Sequence, residues 1–179
     1  MTGQTLVLTF IAEDRPGLVE KLSETVAAEG GNWLESRMAH LAGKFAGIAR
    51  VDVPGDKVSS LKNALKALDA EGFHVVVEEA MGDGSLHGPA FNLDLVGPDQ
   101  PGILRDISHC LAGLGVSVEE MATDIRETPM GGGSLFYAEA RVAGPVTLSE
   151  EELRQSLEAI GDALMVDITL REKDQTPIR

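Results

Sequence analysis

A four-residue turn motif occurs twice in this chain, as Asp14-Arg15-Pro16-Gly17 and again as Asp99-Gln100-Pro101-Gly102, an offset of 85 residues from Asp14 to Asp99. The offset holds outside the motif. Leu8 aligns with Leu93, Leu22 with Ile107, Val26 with Leu111 and Gly30 with Gly115. Chance recurrence of a short Pro-Gly string would not carry apolar positions with it on both sides. The chain is therefore two copies of one unit, and its fold must be one that roughly 80 residues can form. Units that small sit near the lower limit for an independent core, so packing on one another or on a second chain would help both.

Hydrophobic periodicity gives each copy the order strand, helix, strand, strand, helix, strand. In the first, Leu6, Leu8 and Phe10 alternate with Val7 and Thr9. Helical spacing then takes over with Leu18, Leu22 and Val26, with Pro16 suited to the first helical turn and Gly30-Gly31 as the stop. Residues 33–41 and 45–53 form a hairpin around Ala42-Gly43-Lys44. Asp56 or the following serines start a second helix with Val58, Leu61, Leu65 and Leu68 inward. Gly72 stops it, and 73–79 is the last strand. The second copy repeats the plan. Phe91, Leu93 and Leu95 begin it, and a helix carries Ile103, Ile107, Leu111 and Leu114. Strands 116–127 and 134–142 are parted by a longer loop containing Pro129-Met130-Gly131-Gly132-Gly133. Ser149 and Glu152 form a capping box for a helix with Leu153, Leu157 and Ile160 inward, and 164–172 is the last strand. This order predicts an α+β chain of two ferredoxin-like units, each a four-stranded antiparallel sheet with both helices on one face. The units span 1–80 and 91–172, with a linker at 81–90 and a frayed tail at 173–179. The other face of each sheet needs a cover, which a second copy can supply.

Charge narrows the function. The net charge is −14, split as −5 through residue 85 and −9 beyond it, so neither copy carries the Lys and Arg surplus that direct nucleic-acid binding needs. Only 4% of residues are aromatic, which disfavours an RNA-binding version of the fold. Cys110 is the single cysteine, so no disulfide forms within the chain and no cysteine cluster holds zinc. The sequence lacks a signal-peptide pattern and any apolar run near the roughly 20 residues that span a bilayer. A soluble cytoplasmic protein, with no membrane partner, is the expectation.

The two turn motifs, together with Gly30-Gly31-Asn32-Trp33 and Gly115-Val116-Ser117-Val118 after each first helix, resemble the ACT domain over nearly the whole chain. A chain of two ACT copies, with Glu35-Ser36-Arg37 in its second strand, resembles the glycine cleavage system transcriptional repressor family. The resemblance implies an amino-acid-responsive protein, glycine being the favoured ligand. It also implies action on transcription of glycine cleavage genes through a separate DNA-binding regulator, and a homodimer formed sheet edge to sheet edge.

An amino acid presents an ammonium, a carboxylate and a side chain. A helix N-terminus offers free N–H groups and partial positive charge to the carboxylate, and a glycine lets the ligand approach the backbone. Asp14, Arg15, Pro16, Gly17 and Leu18 have these parts, with Asp14 an acceptor for the ammonium. Asn32 stands where ACT domains carry a ligand-contacting amide. In the second copy Asp99 and Gly102 keep the pattern, while Gln100 replaces Arg15 and Ser117 replaces Asn32. The plainer reading stands beside this one: Asp14 a helix cap and Gly17 a turn residue.

Other candidates point to structure. His109 and Cys110 are helix neighbours that face different ways, and Cys110 falls near the apolar stripe. His40, His74 and His87 lack metal-ligand spacing. Gly131-Gly132-Gly133 has no Lys-Ser/Thr after it to make a phosphate loop, Glu150-Glu151-Glu152 suits a helix start, and Trp33 and Met38 read as packing residues. No nucleophile–base pair, metal site or cofactor site emerges, so no catalysis is expected. Two alternatives to the sensor are a ligand-free interaction scaffold and a regulatory subunit of an amino-acid metabolic enzyme.

Overall fold

In the computed structural model, which describes residues 3–81, 88–128 and 132–172, the alternation of Leu6, Leu8, Phe10 and Ala12 becomes the central strand β1, Gly3–Glu13. It is followed by α1 (Leu18–Ala28), β2 (Asn32–Leu41), β3 (Lys44–Pro54), α2 (Val58–Ala67) and β4 (His74–Glu79). Short 3-10 turns at Gly55–Lys57 and Leu68–Glu71 flank α2. The sheet order is β2-β3-β1-β4, all antiparallel. The second unit repeats it with β5 (Ala90–Pro98), α3 (Ile103–Gly113), β6 (Ser117–Glu127), β7 (Ser134–Ala143), α4 (Glu150–Leu164) and β8 (Asp167–Glu172), in the order β6-β7-β5-β8. The chain divides into two compact units, Met1–Asp83 and Gly84–Arg179. The α+β plan of two ferredoxin-like units is as the periodicity predicted.

Each unit has its own core between its sheet and its helices. In the first, Leu18, Leu22 and Val26 of α1 and Val58, Leu61 and Leu65 of α2 meet Leu6, Leu8, Phe10, Val51 and Val53. In the second, Ile103, Ile107 and Leu111 of α3 and Leu153 and Leu157 of α4 meet Phe91, Leu93, Leu95 and Val142. Each fully buried Leu or Ile contributes about 1.5–3 kcal/mol, so these stripes hold the helices on the sheet. Trp33 and Met38 are partly buried against the first core, and Cys110 against the second.

The units repeat in detail. A bulge interrupts β2 between Trp33 and Glu35, and another interrupts β6 between Val118 and Glu120, at the same offset of 85. Gly30 and Gly115 both take positive φ, 73° and 68°, where the chain leaves the first helix. The loops differ more. Ala42 and Gly43, with φ of 50° and 77°, make a two-residue turn of the kind that suits strand twist, so Lys44 belongs to β3 rather than to the loop. The longer second hairpin loop includes 129–131, which lie outside the described residues, as do most of the 81–90 linker and the 173–179 tail.

Four local expectations change. Pro16 sits in the turn and α1 begins at Leu18, because Gly17 must first take φ 90° to redirect the chain. Neither Asp56 nor a serine caps α2, which grows from the 3-10 turn with no side-chain cap. Leu114 is the C-terminal cap of α3 rather than part of its body. The final strand starts at Asp167 rather than 164, because α4 runs to Leu164 and Met165 reverses the chain at φ 55°. The Ser149 cap forms as expected, its Oγ accepting from the Glu152 N–H at 3.2 Å.

Candidate functional site

Three turns meet at one end of the first unit. The strand order sends β1 and β2 toward that end and β3 and β4 away from it. The β1–α1 turn, the β2–β3 hairpin and the turn before β4 therefore lie together. The Asp14 N–H donates to the Gly43 carbonyl at 3.0 Å, and the Asp99 N–H donates to the Ser134 carbonyl at 2.9 Å. Gly17 and Gly102 are the N-terminal caps of α1 and α3, at φ 90° and 100°, and no side chain caps either helix. Asp14 is thus not a helix cap. Its carboxylate faces His40, 3.6 Å from Nε2.

Arg15 ties two of these turns together. Its Nη2 donates to the Glu71 carbonyl at 2.8 Å, joining the β1–α1 turn to the end of the second helix. In the second unit Gln100 does the same, donating from Nε2 to the Leu164 carbonyl at 2.6 Å. The Arg-to-Gln exchange, read from sequence as a loss of pattern, preserves this bond. Leu18 is buried and anchors the helix start; Pro16 is exposed in the turn.

Asn32 is not brought to Asp14 within the unit. It begins β2, paired with Asp52, which lies opposite Thr5. Asp14 follows Glu13 at the other end of β1, eight residues and roughly 26 Å along the strand from Thr5. Helix α1 carries the chain back down the sheet before β2 starts, so the two residues occupy opposite ends. Asp99 and Gly102 keep the equivalent places in the second unit.

Two cavities flank Arg15. One, of about 310 Å³, lies at the helix start and is lined by Asp14, Arg15, Gly17, Glu20 and Phe45 among others. The other, of about 300 Å³, is lined by Ile11, Glu13, Arg15, Lys44, Glu71 and His74, with Ala12 and Gly72. Ion pairs surround it: Lys44 to Glu13 at 3.4 Å, Lys21 to Glu71 at 3.1 Å and His74 to Asp69 at 3.5 Å. Sequence reasoning missed Glu13, Lys44, Glu71 and His74 because they fall in three separated segments. The strand order was enough to bring those segments to one end.

An ACT-domain family model matches residues 4–78, the body of the first unit, and the second unit repeats its strand order, its bulge and its turn bonds. The chain is a tandem ACT-domain protein. A solved protein of unknown function from Galdieria sulphuraria is 30% identical to this ACT pair. The match covers 97% of this chain and 100% of that one, with a TM-score of 0.84. The solved structure of a candidate glycine cleavage system transcriptional repressor is 16% identical, covering 98% of this chain and 100% of the other with a TM-score of 0.74, a likeness of fold. No protein of curated function matches the sequence.

Burial pushes the Cys110 thiol up, away from thiolate chemistry. The Arg105 guanidinium grips Asp106 and holds its carboxyl below the usual carboxylate range. Among the described residues, no three His, Cys, Asp or Glu side chains gather as a metal site, and no helix is long and apolar enough to cross a membrane.

Proposed function

We propose that this tandem ACT protein is an amino-acid-responsive regulator, with glycine the favoured ligand. It acts in the cytoplasm, as a homodimer, on transcription of glycine cleavage genes through a DNA-binding partner protein. The observation that carries the sensing role is the pair of charged cavities around Arg15, at the turn whose glycine keeps side chains out of the way. The transcriptional role is taken over from the candidate repressor, which shares the fold from end to end. A net charge of −14 agrees with reaching DNA through a partner rather than directly.

Ligand can change output only by binding two states of the protein unequally. A coupling of about 1–3 kcal/mol would alter partner affinity by 5- to 150-fold. Thermal unfolding of the full chain with single amino acids is the first test. At a hundred times its Kd, a ligand adds about 2.7 kcal/mol of stability. A raised midpoint with glycine or serine supports sensing; an unchanged midpoint at millimolar amino acid contradicts it. Capture of a DNA-binding protein from native extract, strengthened or weakened by glycine, tests the partner. Capture of a metabolic enzyme instead would make the chain that enzyme's regulatory subunit.

One observation favours the second reading, a ligand-free scaffold. The sheet face turned away from the helices of the first unit carries Ile11, Ile48 and Val76, and Val76 is 59% exposed. Apolar surface of that kind suits assembly. If Arg15→Ala with Lys44→Leu leaves partner binding unchanged with and without amino acid, the scaffold is the better account.

A further inference from the structure

We infer that the amino-acid head group binds not at the helix start but in the charged cup on the other side of Arg15. Its carboxylate lies against Arg15 and Lys44 and its ammonium against Glu13 and Glu71. This inference rests on the sensing role proposed above and locates it.

The helix start is the poorer seat for a carboxylate. Asp14 and Glu20 both line that cavity, and Arg15 is the one cation beside them. Acidic groups there satisfy the helix dipole already and repel a second anion. The cup brings Arg15 and Lys44 together with two carboxylates, Glu13 and Glu71, within a chain that is acidic elsewhere. Cations and carboxylates lining one cavity are what a zwitterion requires.

Three of the groups keep free capacity, and the fourth, Glu71, is held by Lys21 in a half-exposed pair through one carboxylate oxygen, which leaves the other for an ammonium. A guanidinium has five N–H donors, so the single bond from Arg15 to the Glu71 carbonyl leaves donors for a carboxylate. The Lys44–Glu13 pair is long at 3.4 Å, and both side chains are more than half exposed. Such a pair holds loosely and can be replaced by a ligand carrying both charges. Ile11 and Ala12 supply an apolar wall, and about 300 Å³ leaves room for a side chain beyond glycine.

The second unit lacks the cup. Taking the strand registers and the paired turn bonds as the guide, Arg15, Lys44, Glu71 and His74 correspond to Gln100, Leu135, Leu164 and Asp167. Glu13 corresponds to Pro98. No cation stands at these corresponding positions, so one head-group site per chain is expected, in the first unit.

The test measures glycine binding to the full chain by calorimetry, with acetate and methylammonium as single-charge probes. Lys44→Leu and, separately, Glu71→Leu install the second unit's residues, and Glu20→Arg installs Arg105's charge at the helix start. An unchanged thermal midpoint without ligand shows that each variant is folded. The expected result is glycine binding weakened about tenfold or more by Lys44→Leu and Glu71→Leu, kept within about twofold by Glu20→Arg, and much weaker binding of either single-charge probe. Wild-type affinity in both leucine variants, or loss in Glu20→Arg, overturns the cup while leaving the sensing role standing. No glycine binding by the wild type overturns both.

Discussion

The first turns of the two units share a backbone and differ in what surrounds it. Both have a left-handed glycine before the helix, both donate an Asp N–H across to the hairpin, and both tie the motif's second residue to the carbonyl at the end of the second helix. Only the first adds the His40 pair at Asp14 and the ring of Glu13, Lys44, Glu71 and His74. What recurs in both units is what the fold needs. What occurs in one is where a function separate from folding can reside. The open sheet faces diverge in the same way. The first carries Val7, Ile11, Ile48 and Val76, whereas the second carries Asp94 with Arg171 and Arg126 over the Tyr137 ring at 4.3 Å; both keep an Arg–Glu pair, Arg50 with Glu35 and Arg141 with Glu120.

The largest expected effects test whether the cores are separate. Leu61→Ala and Leu153→Ala each remove a fully buried side chain and should cost about 2–5 kcal/mol. Hydrogen exchange should show lost protection in the strands of the altered unit alone; equal loss in both units would break the two-core description. Next come the shared glycines. A Cβ at Gly17 would meet only the Glu20 carboxylate, at 3.8 Å, and one at Gly102 would meet the flexible Arg105 side chain at 3.0 Å. The cost of Gly17→Ala and Gly102→Ala is therefore conformational, about 1–2 kcal/mol in each unit by denaturant titration. A cost in one unit only would deny that the turns are equivalent.

Arg15 separates the shared role from the private one. Arg15→Ala should lose about 1 kcal/mol of stability, the worth of one hydrogen bond, and Arg15→Gln should recover it by bonding as Gln100 does. Neither should bind amino acid like the wild type. The smallest effect concerns the turn before the last strand, where Gly72 has φ 86° and its counterpart Met165 has φ 55°. Met165→Gly relieves left-handed strain of about 1–2 kcal/mol and gives back about 0.5–1 in chain entropy, so a gain of about 0.5 kcal/mol is expected in the unfolding midpoint.

The fold was legible because its signals are local and doubled. The spacing of Leu18, Leu22 and Val26, the stops at Gly30 and Gly72, and the Ser149 cap each needed only neighbouring residues, and the repeat checked them. Strand ends were less legible. Nothing in the residues around 164 says that α4 continues until Met165 turns left-handed. The site was half legible. The motif pointed to the corner where the cavities around Arg15 lie, but Asn32 was assigned to it by resemblance, and the path of α1 carries Asn32 to the far end of the sheet. Lys44 and His74 come to Arg15 through strand order, a long-range property that no window of sequence contains.

The central claim is that the private charges of the first turn, and not the shared backbone, make the ligand site. Amide NMR of the full chain during a glycine titration measures this directly. Saturable shifts are expected at Glu13, Arg15, Lys44, Gly72 and His74, with Gln100, Leu135, Met165 and Asp167 unmoved. Equal shifts in both sets, or shifts in the second set alone, would contradict it.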